Sequence, residues 1–158
     1  MIQEYEKTVP KLISFLLVED DEDHAQLVMR SLVNHRVTNR IDHVKDGAQA
    51  LDFLHGVGQF QNRLLPDIVL LDLKLPKIDG HEVLKRIKED PILKVIPVVI
   101  LTTSAAESDR ISAYENYANS YLVKPLEFSS FYKMVDDLKL YWGVWNYPPS
   151  LGKELGKE

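Results

Sequence analysis

Short apolar runs separated by longer stretches of helical period constrain this chain more than any other feature. The runs are Leu12 to Val18, Ile68 to Leu71 and Val98 to Leu101, with weaker ones at Ile41 to Val44 and Ser120 to Val123. The three strong runs show little polar alternation, the pattern predicted for strands of a parallel sheet covered on both faces. Between them, Glu22 to His35 places Leu27, Val28, Met29, Leu32 and Val33 on one helical stripe, and Gly47 to His55 does so with Ala50, Leu51 and Leu54. Gly80 to Glu89 carries Val83, Leu84 and Ile87, Ser108 to Ala118 carries Ile111, Tyr114 and Ala118, and Phe128 to Trp142 carries Phe131, Met134, Val135 and Leu138. Strict alternation of such elements predicts right-handed crossovers and an α/β fold: a doubly wound parallel sheet of five strands with five helices on its two faces. Ligands of such sheets sit beyond the carboxyl ends of the strands.

A length of 158 residues suits one domain, and 45% hydrophobic with 27% charged residues suits a buried core. The absence of cysteine excludes disulfides, thiolate metal sites and cysteine nucleophiles, and a cytoplasmic location is expected. A net charge of −5, from 24 acidic against 19 basic side chains, provides no electrostatic footprint for nucleic acid. No apolar run approaches the roughly 20 residues that span a bilayer, and MIQEYEKTVPK has neither the basic nor the apolar region of a signal peptide, so no membrane association is expected. The predicted boundaries are a tail over 1–10, a domain over 11–142, and an aromatic then polar tail over 143–158, where Pro148, Pro149, Gly152 and Gly156 oppose a long helix. No output domain is expected.

The first strand runs into Glu19, Asp20, Asp21, Glu22 and Asp23. A solvated helix start would account for such a run, because the positive end of the helix dipole favours acids. Position adds a second reading. The third strand ends in Asp72, and in a parallel doubly wound sheet the ends of the first and third strands are neighbours, so three carboxylates share one crevice. Like charges about 4 Å apart repel by about 1 kcal/mol in water and about 4 at an effective dielectric near 20. A hard divalent cation compensates them, and Mg²⁺ commonly takes one or two carboxylates with waters and a phosphate oxygen. The acids lack the spacing and glycine of an EF-hand loop.

Each remaining strand delivers a polar residue to the same edge: Thr102 from the fourth and Lys124 from the fifth. Asp72 is then a carboxylate nucleophile able to accept a phosphoryl group as a mixed anhydride, with the cation and an ammonium neutralising the charge on the equatorial oxygens. The Thr102 hydroxyl can donate to one of those oxygens, and Lys124 can pair with another.

FLLVEDD, IVLLDLKLPKIDG, PVVILTTSA and SYLVKP, in this order, resemble the receiver domain of two-component response regulators from about Lys11 to Tyr141. The resemblance implies a flavodoxin-like, CheY-like sheet of strand order 2-1-3-4-5. It makes Asp72 the phosphoacceptor, and Glu19 and Asp20 the acidic pair for Mg²⁺ (with Mn²⁺ as a substitute), Asp20 being favoured as the direct ligand and Asp21 lying outside. The backbone carbonyl of Lys74 is the implied remaining protein ligand. Thr102 takes the Ser/Thr switch position, Tyr121 the aromatic switch position, Lys124 the lysine position, and Pro125 that of a cis proline. Glu19 departs from the more usual Asp without removing the acid. Within the family, the segment HGVGQFQNRLLPD, the LTTS stretch and the aromatic tail most resemble stand-alone response regulators of phytochrome-type sensor kinases.

The expected function is a non-enzymatic, stand-alone response regulator that takes its phosphoryl group from a sensor histidine kinase and shifts the surface it offers an output protein. Tyr141, Trp142, Val144, Trp145 and Tyr147 either fold back on the domain or make a homodimer through the last helix and tail. The competing readings are an aspartyl-nucleophile phosphohydrolase, which would want an acid where Lys74 stands, and a phosphorylation-independent pseudo-receiver, which would not need the repelling carboxylates. A phosphate sink or relay intermediate fits the same residues.

Overall fold

The computed structural model describes residues 13–33 and 39–142, and beyond them Asn146, Tyr147 and Pro149. The expected tail over 1–10 and most of 143–158, with Val144 and Trp145, lie outside the described residues. Five parallel strands, β1 (Ile13–Val18), β2 (Asn39–Val44), β3 (Ile68–Leu71), β4 (Val98–Thr102) and β5 (Ser120–Val123), pair in the order β2-β1-β3-β4-β5. Five helices connect or follow them: α1 (Glu22–Val33), α2 (Gly47–His55), α3 (Gly80–Glu89), α4 (Glu107–Glu115) and α5 (Phe128–Leu140).

Strand alternation divides the core into two layers, because successive side chains leave a strand on opposite faces. Leu16, Val18, Val69, Leu71, Val98 and Ile100 pack beneath α2, α3 and α4 with Leu54, Val83, Leu84 and Ala113. Phe15, Leu17, Ile68, Leu70, Val99 and Leu101 face the other way, against Val28 and Leu32 of α1 and Phe131, Val135 and Leu138 of α5. The apolar runs that alternate little in character therefore alternate in the layer they fill.

The starts of α2 and α3 follow their sequence signals. Asp46 accepts from the Gln49 N–H at 2.8 Å at the start of α2, and Asp79 accepts from the Glu82 N–H at 3.0 Å at the start of α3. Gly80 is required by close approach: a Cβ there would lie 2.3 Å from the Asp72 carbonyl oxygen and 2.5 Å from Leu73 Cα. Its N–H donates to the Leu73 carbonyl at 2.8 Å, which seats α3 directly on the end of β3.

Two expectations are corrected. The helix predicted to run to Ala118 ends at Glu115, because Tyr117 adopts φ 65 and the chain turns there into β5. The peptide before Pro125 is trans: the described residues include no cis peptide, and trans is the ordinary state of an X–Pro bond. The segment before β3 holds a 3₁₀ turn at Gly58–Phe60, and Arg63 Nε donates to the Phe53 carbonyl at 2.9 Å, closing the end of α2. No helix among the described residues is long and apolar enough to cross a membrane.

Candidate functional site

The parallel register brings the carboxyl ends of β1, β3, β4 and β5 to one edge, and the polar residues that follow them meet there. Glu19, Asp20 and Asp72 each offer an oxygen to a group whose atoms all lie within 4.8 Å of one another. Glu19 and Asp72 are buried, Asp20 exposed. Lys124, also buried, uses three donors at once: Nζ donates to Glu19 Oε1, to Asp72 Oδ2 at 3.1 Å and to His24 Nδ1 at 3.0 Å.

The acidic run after β1 resolves into separate tasks. Glu19 turns inward, and its Oε2 accepts the Asp21 N–H at 3.2 Å. Its carbonyl accepts from His43 Nε2 at 2.8 Å, so that nitrogen carries the proton. Asp21 lies outside the carboxylate group and opens α1 by accepting the His24 N–H at 3.1 Å, a bond that holds its carboxyl below the ordinary range. Glu22 faces Lys45 at 3.5 Å on the surface. The helix-start reading suits Asp21 and Glu22, whereas Glu19 and Asp20 gather with Asp72 at the strand edge.

Asp72 Oδ1 accepts the Lys74 N–H at 3.2 Å while Oδ2 meets Lys124, so both oxygens of this carboxylate are oriented. Burial pushes the Glu19 carboxyl up to about 7, against the pull of Lys124 and with the charge of Asp72 adding to the rise. Asp20 makes no hydrogen bond to the described residues and lines a cleft of about 450 Å³ with Lys74, His81 and Asp109. The donor set is oxygen only, anionic and closely spaced, which fits a hard divalent cation.

Thr102 ends β4, fully buried, and its Oγ1 accepts the Ser104 N–H at 3.3 Å. Tyr121 on β5 turns its hydroxyl to the same residue, donating to the Ser104 carbonyl at 2.9 Å, and burial raises the phenol above its ordinary value. Sequence reasoning missed His24, His81, Ser104 and Asp109. His24 carried a signal, since it directly follows the acidic run and stands one helical turn after Asp20 and Asp21. The others meet only through the fold.

A comparison with family models matches residues 15–136 to the response regulator receiver domain. This chain belongs to the response regulator receiver family. Among curated relatives of this receiver, the probable methanogenesis regulatory protein FilR2 of Methanothrix harundinacea is 49% identical over 134 residues, 85% of this chain and 86% of that one. Response regulator Rcp1 of Synechocystis sp. is 42% identical over 137 residues, 87% of this chain and 92% of that one. The crystal structure of the Mn(2+)-bound form of Rcp1 matches with a TM-score of 0.85 at 40% identity, over 87% of this chain and 99% of that chain. The phosphorylated cyanobacterial phytochrome response regulator RcpA matches with a TM-score of 0.86 at 38% identity, over 89% of this chain and 100% of that chain. Membership of the receiver family implies phosphorylation on an aspartate, a divalent metal and a sensor kinase as partner.

Proposed function

We propose that Asp72 is the phosphoacceptor of a stand-alone, cytoplasmic response regulator, charged by a sensor histidine kinase and without an enzymatic activity on other substrates. The observation that carries this reading is the convergence of Glu19, Asp20, Asp72 and Lys124 on one strand edge. An Asp72 oxygen attacks the phosphorus of a phosphohistidine, the P–N bond breaks, an acyl phosphate forms, and the imidazole leaves with a proton from solvent. Lys124 already touches Oδ2 and pairs with the oxygens of the incoming group, while the Lys74 N–H holds Oδ1 in place. The Thr102 hydroxyl donates to another phosphoryl oxygen, and Tyr121 follows through Ser104, changing the surface met by an output protein.

Asp20, Glu19, Asp72 and the Lys74 carbonyl are the residues that would hold Mg²⁺, with Mn²⁺ able to replace it; the exposed carboxylate of Asp20, unpaired among the described residues, favours it for direct ligation. Bound there, the cation supplies neutralisation of phosphoryl charge. Exposed Leu140, Tyr141 and Tyr147 support the second copy of this chain as a partner along α5 and the tail.

Incubation with Mg²⁺ and acetyl phosphate, read by intact mass, tests the reading. One phosphoryl adduct is expected on the wild-type chain, absent in Asp72→Asn and absent with EDTA. An adduct of equal yield on Asp72→Asn would move the acceptor elsewhere.

A further inference from the structure

A chain of polar contacts runs from the first turn of α3 across the mouth of the site to both hydroxyls of the switch. His81 Nε2 lies 2.9 Å from Asp109 Oδ1, and because a carboxylate only accepts, Nε2 carries the proton. Asp109 Oδ2 accepts the Ser104 hydroxyl at 2.5 Å. Ser104 is the hub: its N–H goes to Thr102 Oγ1 and its carbonyl takes the Tyr121 hydroxyl. Its Oγ also accepts the Ala106 N–H at 3.3 Å, which does at the start of α4 what the side chain of Ala106 cannot.

We propose that His81 is a positioning residue for the phosphoryl response: through Asp109 it fixes Ser104, and Ser104 holds the hydroxyls of Thr102 and Tyr121. The inference rests on the reading of Asp72 as acceptor and Thr102 as the residue that meets the phosphoryl group.

Three observations carry it. His81 follows Gly80, whose N–H is bonded to Leu73 and whose Cα abuts the Asp72 carbonyl, so its backbone belongs to the acceptor loop while its side chain reaches α4. It thereby ties the loop after β3 to the loop after β4, the two segments that a phosphoryl group on Asp72 must lie between. Second, His81 Nδ1 is buried without a hydrogen-bond partner among the described residues. A buried nitrogen without a partner is costly, and an apolar side chain would fill the same space without that cost; what the imidazole adds at this position is the Nε2 bond to Asp109. Third, Asp109 is held below the ordinary carboxylate range by the Ser104 hydroxyl first and His81 second, as expected for an anion gripped from both sides.

The test is ¹⁹F spectroscopy of the full chain carrying 3-fluorotyrosine, with the Tyr121 resonance assigned by its loss in Tyr121→Phe, and titration with beryllofluoride at saturating Mg²⁺. His81→Leu and Asp109→Ala are expected to move the Tyr121 resonance in the metal-free protein and to weaken beryllofluoride binding about three- to tenfold, the range one such hydrogen bond spans. His81→Gln, which keeps an N–H donor, is expected to stay near wild type. An unmoved Tyr121 resonance with unchanged beryllofluoride binding in His81→Leu overturns the role, and so does a Gln variant that behaves like Leu, because the loss would then be one of packing. Should His81→Leu fail to fold, His81→Phe, which keeps an aromatic ring and removes the N–H donor to Asp109, decides by the same two readouts. A wild-type chain that does not bind beryllofluoride, or an Asp72→Asn chain that binds it equally, overturns the phosphoryl reading itself and the role with it.

Discussion

Glu19 stands where the charges of the site are least balanced. It shares Lys124 with Asp72, is 2% exposed, and burial raises its carboxyl from 4.5 to about 7. The folded chain therefore binds a proton on Glu19 that the unfolded chain releases between pH 4.5 and about 7. Stability rises with pH only where the unfolded state binds more protons; here the folded state does, so the contribution of Glu19 falls as pH rises through that window. Urea unfolding in EDTA is expected to give a stability that declines from pH 5 to pH 8 more steeply for wild type than for Glu19→Gln. Equal slopes would show that Lys124 keeps Glu19 ionised across the range. Glu19, Asp20, Asp72, Thr102 and Lys124 are legible in the sequence because each ends a strand or follows one directly, and strand ends are countable from the apolar runs. His24 escapes that count: its place is decided by the Lys124 ammonium, 100 residues away in sequence, and by stacking on Phe131 at 5.6 Å between ring centroids.

At the scale of elements, the loop between β3 and α3 decides how well Asp72 is held. Asp79 caps the helix, and Gly80 lets its first turn press against the backbone of Asp72 and Leu73. The cap is readable as an Asp-Gly pair after Pro76; the contact is not, because it depends on the depth at which the helix seats. Gly80→Ala would place a methyl group 2.3 Å from the Asp72 carbonyl oxygen, against backbone that cannot rotate away. Such overpacking costs about 1 to 3 kcal/mol, and a fall of that size in urea-unfolding stability is expected. Slower formation of the phosphoryl adduct from acetyl phosphate should accompany it, since the same displacement moves Asp72. The ends of α4 are equally hidden: Ala106 offers no side-chain cap, and Tyr117 takes a left-handed conformation that a sequence pattern does not announce. Ser104 Oγ supplies the missing cap by accepting the Ala106 N–H, and the far end is closed by the Ala118 N–H, which donates to the Ala113 carbonyl at 3.0 Å.

Across the whole molecule, the two core layers are unequal in how they close. The layer beneath α2, α3 and α4 is covered by three helices, whereas among the described residues the opposite layer is covered by α1 and α5 and completed by Trp142, just past the end of α5. The alternation of runs makes the two-layer sheet legible, and the resemblance to receivers supplies its strand order, because crossover handedness alone does not choose between neighbouring positions. What becomes of the aromatic tail is not readable from residue type, since Tyr141 and Trp142 are both large, adjacent and aromatic. The fold separates them: Trp142 is 8% exposed in the second layer, while Tyr141 is 55% exposed with its ring 5.2 Å from that of Trp142 in an edge-on arrangement. Removing a buried tryptophan side chain forfeits its transfer energy and leaves a cavity, about 3 to 5 kcal/mol in a closed core and toward the lower end at a layer's rim. Surface truncations stay within about 0.5 kcal/mol. At concentrations where the chain is a monomer, Trp142→Ala is accordingly expected to lower the urea-unfolding stability by about 3 kcal/mol, and Tyr141→Ala to leave it within error. Sedimentation over a rising concentration series is expected to show a dimer for the wild-type chain that Tyr141→Ala loses; a Tyr141→Ala chain that associates like wild type would remove Tyr141 from that contact.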